Sequence, residues 1–503
     1  MNKLVLFFAL WLTHAWAVAE PLQASGVLAH AQQEYQHGRY WLALDTLSQL
    51  DESQAAVQGL KGLIHYRMRQ FEQAELLLNA ALKARHEAKS AVPWLMALAE
   101  IQAQRGLIDE AQGLYHQALL LTDVNSALNL SIQLGQITLL PAAEQWSALT
   151  QLQPKLLALP QSVERSRLLL NVAAQAQRQG GPGLRLAYEN YQHVLTDAKT
   201  QDTGLTAASL DGLAQLYEDQ QRYQEAYRLN QDGLASALSA QDEALLITLE
   251  WRHGRLANQL QRSAEAISAY QNAIQHIAAI RKDIPVEYHN GRSSFRELLE
   301  PVYLGLADLL LQQARESQST QKTSLLKQAR ETVELIKLAE LEDYLGGRCG
   351  VQSRQAELDH VLTTTTAVVY PILLPERLEL LVGNGETLEH VSVNVSAAEL
   401  QQYTQRFAKS LRKGSDTSLA LAQQLHRWLI APISPWLKQN HINTLVLVPD
   451  GVLRLIPPAA LHDGQHYLIE SYAVSVSQGL SLNLAPSLQT HEFKALLAGM
   501  SKP

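Results

Sequence analysis

The chain is poor in several residue types, and each shortage excludes a class of protein. Its 503 residues include a single cysteine, Cys349, so no disulfide can form within the chain. Charged residues make up only 18%, with 41 Lys and Arg against 49 Asp and Glu and a net charge of -8. A nucleic-acid-binding protein needs a basic face to displace counterions from phosphates, so this balance argues against a nucleic-acid partner. Hydrophobic residues, at 47%, suffice for large cores held together by packing alone.

Long apolar runs are missing after the N-terminus, and no later stretch reaches the roughly 18 apolar residues of a membrane-spanning helix. At the N-terminus, Lys3 precedes the apolar run Leu4–Leu12, and Ala17-Val18-Ala19 follows as a small-x-small cleavage site. This order is typical of a secretory signal peptide over residues 1–19, cleaved after Ala19. We therefore expect an exported, soluble bacterial protein of the periplasm or the exterior, with an uncleaved anchor or a buried helix as the alternative.

Motifs with a defined chemistry are missing as well. None of the 17 histidines shows a four-residue pairing with a third carboxylate ligand, and there is no cysteine pair, so no metal site is predicted. The sequence has no G-x-S-x-G elbow and no phosphate-binding glycine loop, so no cofactor is predicted. We accordingly assign no catalytic, cofactor-binding or metal-binding residue.

What the sequence does contain is a repeated spacing of small and large residues. An alanine is followed four residues later by a large apolar residue, and three residues further by a small or apolar one. Residues three and four apart share one helix face, where a small residue lets a partner helix approach and a large one fills the gap beside it. The alanines lie between 31 and 40 residues apart. They are Ala43, Ala74, Ala111, Ala148, Ala187, Ala226 and Ala266, of which Ala148 and Ala226 fit the spacing less well.

A turn precedes each alanine, and a further amphipathic helix lies upstream of the turn. Gly38 and Gly106 stand where the upstream helix would end, and Asp109 and Glu110 stand where the next helix would begin. Glycine is favoured just after a helix C-terminus, and acidic side chains are favoured at a helix N-terminus. The sequence therefore predicts a tandem series of helical hairpins.

These hairpins resemble the tetratricopeptide repeat (TPR), and the closest single match combines Leu98-Ala99 with Gly106, Ala111, Tyr115 and Ala118. Several repeats exceed the usual length of about 34 residues, and the closing proline is mostly absent, so longer helices are expected. The resemblance covers residues 25–282 and implies an α-solenoid whose concave face binds a protein or an extended peptide. A generic helical bundle is the alternative.

The sequence after the repeats changes character twice. Residues 283–345 are predicted to be a helical connector, and an α/β region follows from about residue 363. Alternating apolar residues predict a strand meander, and a continuous apolar run predicts a strand buried on both faces. The predicted strands are 367–370, 378–382, 390–393, 444–448, 468–469 and 472–476, with helices at about 294–313, 323–344, 397–411 and 418–429.

This second half resembles the CHAT domain, a caspase-like module found together with TPRs. The resemblance covers residues 290–503 and departs from the family at Pro458, which leaves the local loop path open. The stretches that carry it are Ser294–Arg296, Glu300–Tyr303, Ala339–Tyr344, Tyr370–Pro375, Leu447–Gly451, Arg454–Pro457, Ala459–Gly464 and Tyr467–Glu470.

The resemblance implies a caspase-clan cysteine peptidase fold, in which a histidine activates a cysteine nucleophile. In the family both residues lie downstream of the segment present here, so we expect residues 363–503 to be the N-terminal part of a CHAT domain without the catalytic pair. Three interpretations stay open: part of a longer CHAT peptidase, a natural short form acting as an interaction scaffold, or a degenerate module with a structural role. A histidine and a later cysteine encoded beyond Pro503 would favour the first.

A few side chains invite catalytic interpretations that we consider weaker. Cys349 next to Arg348 has the setting of an activated thiol, but a cysteine is common there in the family and is not the nucleophile. His462 and Asp463 are adjacent in a predicted turn, where neighbouring side chains point apart. His441 and His466 are expected on loops. The tyrosines Tyr115, Tyr191 and Tyr270 are expected in the repeat core rather than stacked on a ligand.

Overall fold

The computed structural model describes residues 26–84, 89–198, 202–285, 288–289, 292–293, 298–344, 363–414 and 417–480. The predicted signal peptide, residues 1–19, and Cys349 lie outside these described residues. The chain divides into two compact units, Met1–Leu309 and Leu310–Pro503, and each unit is described by itself. The division falls within residues 283–345, inside the helix Glu300–Glu316.

Seven helical hairpins make up the first unit in the part of the chain that the structure describes. In each hairpin a first helix packs against a second one that follows after a short turn. The pairs are α1 (Gly26–Gln36) with α2 (Tyr40–Leu47), α3 (Ala55–Arg67) with α4 (Phe71–Ala84), α5 (Val92–Gln104) with α6 (Ile108–Leu119), α7 (Ala127–Ile137) with α8 (Ala142–Leu157), α9 (Val163–Gln179) with α10 (Gly183–Ala198), α11 (Thr203–Asp219) with α12 (Tyr223–Ala240), and α13 (Glu243–Gln259) with α14 (Ser263–Ala279).

The seven alanines of the repeated spacing lie one in each second helix. Every one except Ala148 is fully buried, including Ala226, whose neighbours fit the spacing less well. In α2, α4, α6, α12 and α14 the alanine is the fourth residue of the helix, so the hairpins share one packing register. The prediction of a TPR-like α-solenoid is confirmed.

The tyrosines after the alanines pack against glycines of neighbouring helices. A Cβ added to Gly135 of α7 would lie 2.8 Å from the hydroxyl oxygen of Tyr115, which is closer than a carbon atom can approach. Tyr191 faces Gly212 of α11 in the same way. These tyrosines are buried, so their interpretation as core residues holds.

Side-chain caps start the later first helices. Ser126, Ser162, Asp202 and Asp242 each accept the backbone N–H three residues ahead, before α7, α9, α11 and α13 respectively. Such a cap satisfies one of the helix donors that has no carbonyl partner. The second helices α2, α6, α12 and α14 begin without a side-chain cap at their own N-cap residue.

Successive first helices contact one another throughout the series, from α1 with α3 to α11 with α13, whereas the second helices of neighbouring hairpins touch less. Along a curved row, spacing is shorter on the inner side, so the first helices line the concave side of the solenoid. Accordingly they are more extensively buried: α11 buries residues all round, and α12 only along one stripe.

The two ends of the solenoid also touch. The backbone N–H of Trp41, in α2, donates to Asp283 Oδ1 at 2.8 Å, and the Trp41 indole N–H donates to the carbonyl of Lys282. Residues 282 and 283 follow the last hairpin, so the row of hairpins curves back until its first member meets its end. The expected superhelix is therefore closed at this point rather than open.

The second unit contains a five-stranded mixed sheet in the order β5-β4-β3-β6-β7. The strands β3 (Thr366–Leu373), β4 (Leu378–Gly383) and β5 (Leu388–Val393) form the predicted antiparallel meander. The strands β6 (Thr444–Leu447) and β7 (Ala473–Val476) add parallel to β3. A separate two-residue ladder, β1 (Tyr288–His289) with β2 (Arg292–Ser293), belongs to the first unit.

Helices cover this sheet. The chain enters through α15 (Glu300–Glu316) and α16 (Ser319–Tyr344), and it continues after the meander with α17 (Ala397–Lys413), α18 (Ser418–Leu429) and α19 (Ser434–Gln439). Leu400, Phe407 and Leu425 of α17 and α18 pack on one face of the sheet, with Val369 and Leu445.

Two strand predictions need correction. Residues 468–469 are not a strand but begin the one-turn helix α20 (Leu468–Ser471), where the Glu470 carboxylate accepts the backbone N–H of Tyr467 at 2.8 Å. Strand β6 is buried on one face only, since Leu445 and Leu447 are buried whereas Thr444 and Val446 are half-buried. Full burial on both faces is found instead in β4.

Candidate functional site

A groove of about 560 Å³ lies between the second helices α6 and α8, over the first helix α7. Its lining is rich in side-chain amides and has an apolar floor. The lining residues are Gln112, His116, Gln133, Gln136, Ile137, Leu140, Ala148, Gln151, Leu152 and Lys155.

The groove arises where the repeat pattern is broken. At the fourth position of α8, where five other second helices carry a buried alanine, the chain has Gln145. Its amide nitrogen donates to the carbonyl of Leu140 at 2.8 Å, and its amide oxygen accepts from Gln179 of α9 at 2.6 Å. Pro154 also removes one helical hydrogen bond from α8. The groove lies beside this irregular helix, between α6 and α8.

The amides of the groove have unused hydrogen-bonding capacity. Gln133 donates to Asn129 Oδ1 at 2.7 Å and Gln151 donates to Ser147 Oγ at 3.2 Å, whereas the side chains of Gln112 and Gln136 have no hydrogen-bond partner among the described residues. Each amide offers two donors and one oxygen with two lone pairs. Lys155 Nζ makes only a long contact of 3.5 Å, with Gln133 Oε1.

The inner face of the solenoid carries a different arrangement, in which charged side chains bind each other. Arg252 of α13 is fully buried and contacts Asp211 Oδ1 at 2.9 Å and Glu218 Oε2 at 2.7 Å, both on α11. Arg255 binds the same Glu218 through two nitrogens at 2.8 Å. Gln215 accepts a further hydrogen bond from Arg252. This ion network joins two first helices and leaves little capacity for a ligand.

Burial alone would raise the pKa of Glu218, but Arg255 and Arg252 outweigh it and lower the pKa below its usual value. Asp219 beside it has a raised pKa, chiefly because of burial and only partly offset by the amide of Gln215. The pKa values of these two adjacent carboxyl groups are therefore shifted in opposite directions. The ionised form of Glu218 is the one that the network stabilises.

In the second unit, polar side chains of α16 meet the carboxyl ends of the parallel strands, which is where α/β sheets usually carry their functional groups. Lys337, almost completely buried, lies 2.9 Å from Asp450 just beyond β6. Arg454 binds Glu340 at 2.6 Å. Tyr370, at the carboxyl half of β3, donates to Glu334 at 2.7 Å.

This cluster brings together stretches that carried the family resemblance but are far apart in sequence, namely Ala339–Tyr344, Tyr370–Pro375, Leu447–Gly451 and Arg454–Pro457. Glu334 and Lys337 were missed by sequence reasoning. Their signal was the spacing of Arg330, Glu334 and Lys337, which places three charges on one stripe of the helix.

The histidines singled out from the sequence take turn positions. His462 Nδ1 accepts the N–H of Gly464 at 2.9 Å, and its ring packs edge-on against Tyr467. Asp463 Oδ1 accepts the backbone N–H groups of Gln465 and His466, both at 2.7 Å, and these two bonds lower the Asp463 pKa. The two neighbouring side chains are thus engaged with separate backbone groups. His441 follows α19 with a positive φ of 54°, as a turn residue does.

The described residues contain neither a candidate metal cluster nor a candidate membrane span. No group of three or more His, Cys, Asp or Glu side chains there could hold a metal ion. No helix in the same residues is both long enough and apolar enough to cross a bilayer.

Comparison with known proteins identifies the class of the chain. A solenoid of helical hairpins precedes a small α/β unit, and residues 419–503 match the family model of the CHAT domain. The chain therefore combines TPR-like helical hairpins with a segment, residues 419–503, that matches the CHAT domain.

A solved structure of the human IFIT1 dimer with m7Gppp-AAAA is similar at a TM-score of 0.42 and 15% identity, covering 62% of this chain and 70% of that one. No curated protein matches the chain in sequence. The repeat architecture of this chain rests on its own helix pairing and alanine spacing.

Proposed function

We propose that the chain is a scaffold whose helical repeats bind a protein or peptide partner next to a CHAT module. The groove between α6 and α8 carries this proposal. It is a concave surface with an apolar floor and several unengaged polar groups, the combination that ligand sites share. Recognition of an extended chain by amide side chains needs no catalytic residue.

The concave face lined by the first helices is the second surface on which a partner could bind, as is usual for stacked hairpins. Its charged residues are engaged with each other, as in the network around Arg252. The groove has the greater unused hydrogen-bonding capacity, so we assign it the principal contact.

Recovery of a partner by the purified full chain from an extract of the exported fraction tests the proposal. We expect Gln151→Trp, which fills the groove from the exposed side of α8, to abolish recovery of that partner. Gln192→Trp, at an exposed position of α10 outside the groove, is the matched control and should retain it. Loss with Asp219→Lys instead would assign binding to the concave face, and absence of any stoichiometric partner would reject the scaffold function.

We also propose that the protein is exported, on the strength of the signal-peptide pattern in residues 1–19. N-terminal sequencing of the protein from the periplasm or culture medium should begin at Glu20. Protein that retains Met1 and stays with the cytoplasmic fraction would contradict export.

A second candidate function is that of a cysteine peptidase, as the N-terminal portion of a longer polypeptide. The CHAT match at residues 419–503 favours it. A reading frame continuing past Pro503 to a histidine beside a glycine and then a cysteine would support the peptidase. A stop codon immediately after Pro503 would reject it.

A further inference from the structure

The charge of the groove differs from that of the chain around it. The whole chain carries a net charge of -8, yet none of the ten residues lining the groove is acidic. Lys155 and His116 are the basic side chains in the lining, and neither has an ion-pair partner among the described residues. The groove is therefore a local site of positive charge that a ligand carboxylate can approach without repulsion from an acidic lining residue.

Lys155 is positioned to bind the carboxylate of such a ligand. Its ammonium group makes a single contact, at 3.5 Å from Gln133 Oε1, which is too long for a strong hydrogen bond. The side chain is exposed, so it keeps its water until a ligand displaces it. A carboxylate that replaces that water would gain a charge-assisted hydrogen bond without breaking an existing ion pair.

The remaining lining fits an extended peptide backbone. Along an extended chain, N–H and C=O groups alternate in direction, and both need partners when they are desolvated. The amides of Gln112, Gln136 and Gln151 can donate to one and accept from the other. Below them, Ile137 and Leu152 are buried and form an apolar floor that suits an aliphatic side chain.

We propose that this groove binds an extended acidic peptide segment, with an Asp or Glu carboxylate on Lys155, the peptide backbone on the glutamines and an aliphatic side chain on the floor. The inference rests on the proposed partner-binding function and names the chemistry of the partner. A nucleic acid fits less well, because phosphate binding requires a series of cations and the groove has one lysine.

The test is selection of a random heptapeptide display library on the purified full chain. We expect the selected peptides to be enriched in Asp or Glu next to an aliphatic residue. Selection on Lys155→Glu should instead enrich Lys or Arg at the same place. Lys83→Glu, an exposed lysine on α4 outside the groove, is the matched control and should return the same acidic peptides as the original chain.

Fluorescence polarisation then measures the best selected peptide and its counterpart with Gln in place of the acid. Lys155→Gln should weaken binding of the acidic peptide about tenfold, the range of one charge-assisted hydrogen bond, and change binding of the counterpart less than about twofold. Gln112→Ala and Gln136→Ala should weaken binding of both peptides. Lys155 and Gln112 are exposed and Gln136 is half-buried, so each variant is expected to fold, which its melting temperature would verify.

Selected peptides without acidic enrichment, or with enrichment that Lys155→Glu leaves unchanged, would overturn this inference while leaving peptide binding by the repeats intact. Equal competition by free succinate would also overturn it, because the site would then recognise a small dicarboxylate. If the library yields no binder and no partner is recovered from extracts, the proposed function itself fails.

Discussion

Arg252 is the largest side chain that the described part of the molecule buries completely, and it is charged. Together with Arg255 it balances the charges of Asp211 and Glu218, two carboxylates in a largely desolvated setting. Removing one partner of a buried ion pair typically costs about 3 to 5 kcal/mol, because the remaining charge is left uncompensated. Arg252→Ala should therefore lower the free energy of unfolding by about that amount in urea titration. Arg185→Ala, which removes an exposed pair with Glu189, should cost less than about 1 kcal/mol. Equal losses of unfolding free energy in the two variants would show that burial does not determine how much an ion pair contributes to stability.

Glu218 gives the same network a pH dependence. Its pKa in the folded protein is below the ordinary value of 4.5, so the folded state binds its proton less readily than the unfolded state does. The stability that it contributes is fully present above about pH 4.5 and is lost as the pH falls through the lower folded pKa. We expect Glu218→Gln to be less stable than the original chain at pH 7, with the difference narrowing below pH 4.5. A constant difference from pH 7 to about pH 3 would contradict this linkage.

Single charged residues were the least predictable feature from the sequence. Arg252 and Lys337 stand in helical segments where a charged side chain usually marks the solvent face, and their partners are at least 34 positions away. Pairing at such separations depends on which helices become neighbours, and local periodicity does not determine that. The buried tyrosines were predictable because a large residue at fixed spacing from a small one has few other roles in a hairpin.

At the scale of the element, the turns inside five of the seven described hairpins share one conformation although their sequences differ. Gly38 and Gly106 have φ values of 74° and 79°, and Gln221 takes the same left-handed region at 61°. In each case the next residue donates its N–H to the carbonyl five positions earlier, which ends the first helix. A residue with a Cβ pays a steric penalty in this region that glycine avoids.

Gln221→Gly should therefore stabilise the protein by about 0.5 to 1 kcal/mol, the relief of left-handed strain less the added entropy of the unfolded chain. Gly106→Ala should destabilise it by a similar amount. The control is Gln192→Gly, inside helix α10, where glycine should cost about 1 kcal/mol. Thermal unfolding measures the stability of the three variants. A destabilising Gln221→Gly would show that the contacts of the glutamine side chain contribute more than the strain of its left-handed backbone costs.

Most helices could be predicted because apolar spacing and turn residues agreed. The fourth hairpin could not be predicted in detail, although the poorer fit of Ala148 indicated that it differs. The groove between α6 and α8 depends on how three helices are placed relative to one another, which the spacing of residues along the chain does not determine. The one-turn helix at 468–471 was mistaken for a strand since its apolar residues are too few to show a period.

At the scale of the whole first unit, the contact between its two ends supplies the N-terminal cap that helix α2 lacks locally. Helix α2 has Arg39 at its N-cap, which makes no side-chain cap bond. Asp283, 242 residues away, accepts the N–H of Trp41 instead. Burial is the main cause of the raised Asp283 pKa, and the hydrogen bond from the Trp41 N–H partly offsets it by lowering that pKa.

Asp283→Ala should cost about 1 kcal/mol, as removal of a cap does, and should speed amide hydrogen exchange at Tyr40, Trp41 and Leu42. Asp202→Ala removes an ordinary local cap, the bond from Leu205 N–H to Asp202 at 3.0 Å, and serves as the control. It should cost about as much, but faster exchange should be confined to α11. Unchanged exchange in α2 with Asp283→Ala would mean that the long-range bond does not form in solution.

An open row of repeats can melt inward from either terminus, because each terminal unit is supported on one side only. Joining residue 41 to residue 283 removes both free termini at once. The unit must then close a loop of some 240 residues before that support exists, which adds to the entropy barrier of assembly but leaves no repeat from which fraying can start. Slow, single-step unfolding is the behaviour that such a ring should show, in place of the graded loss typical of linear arrays.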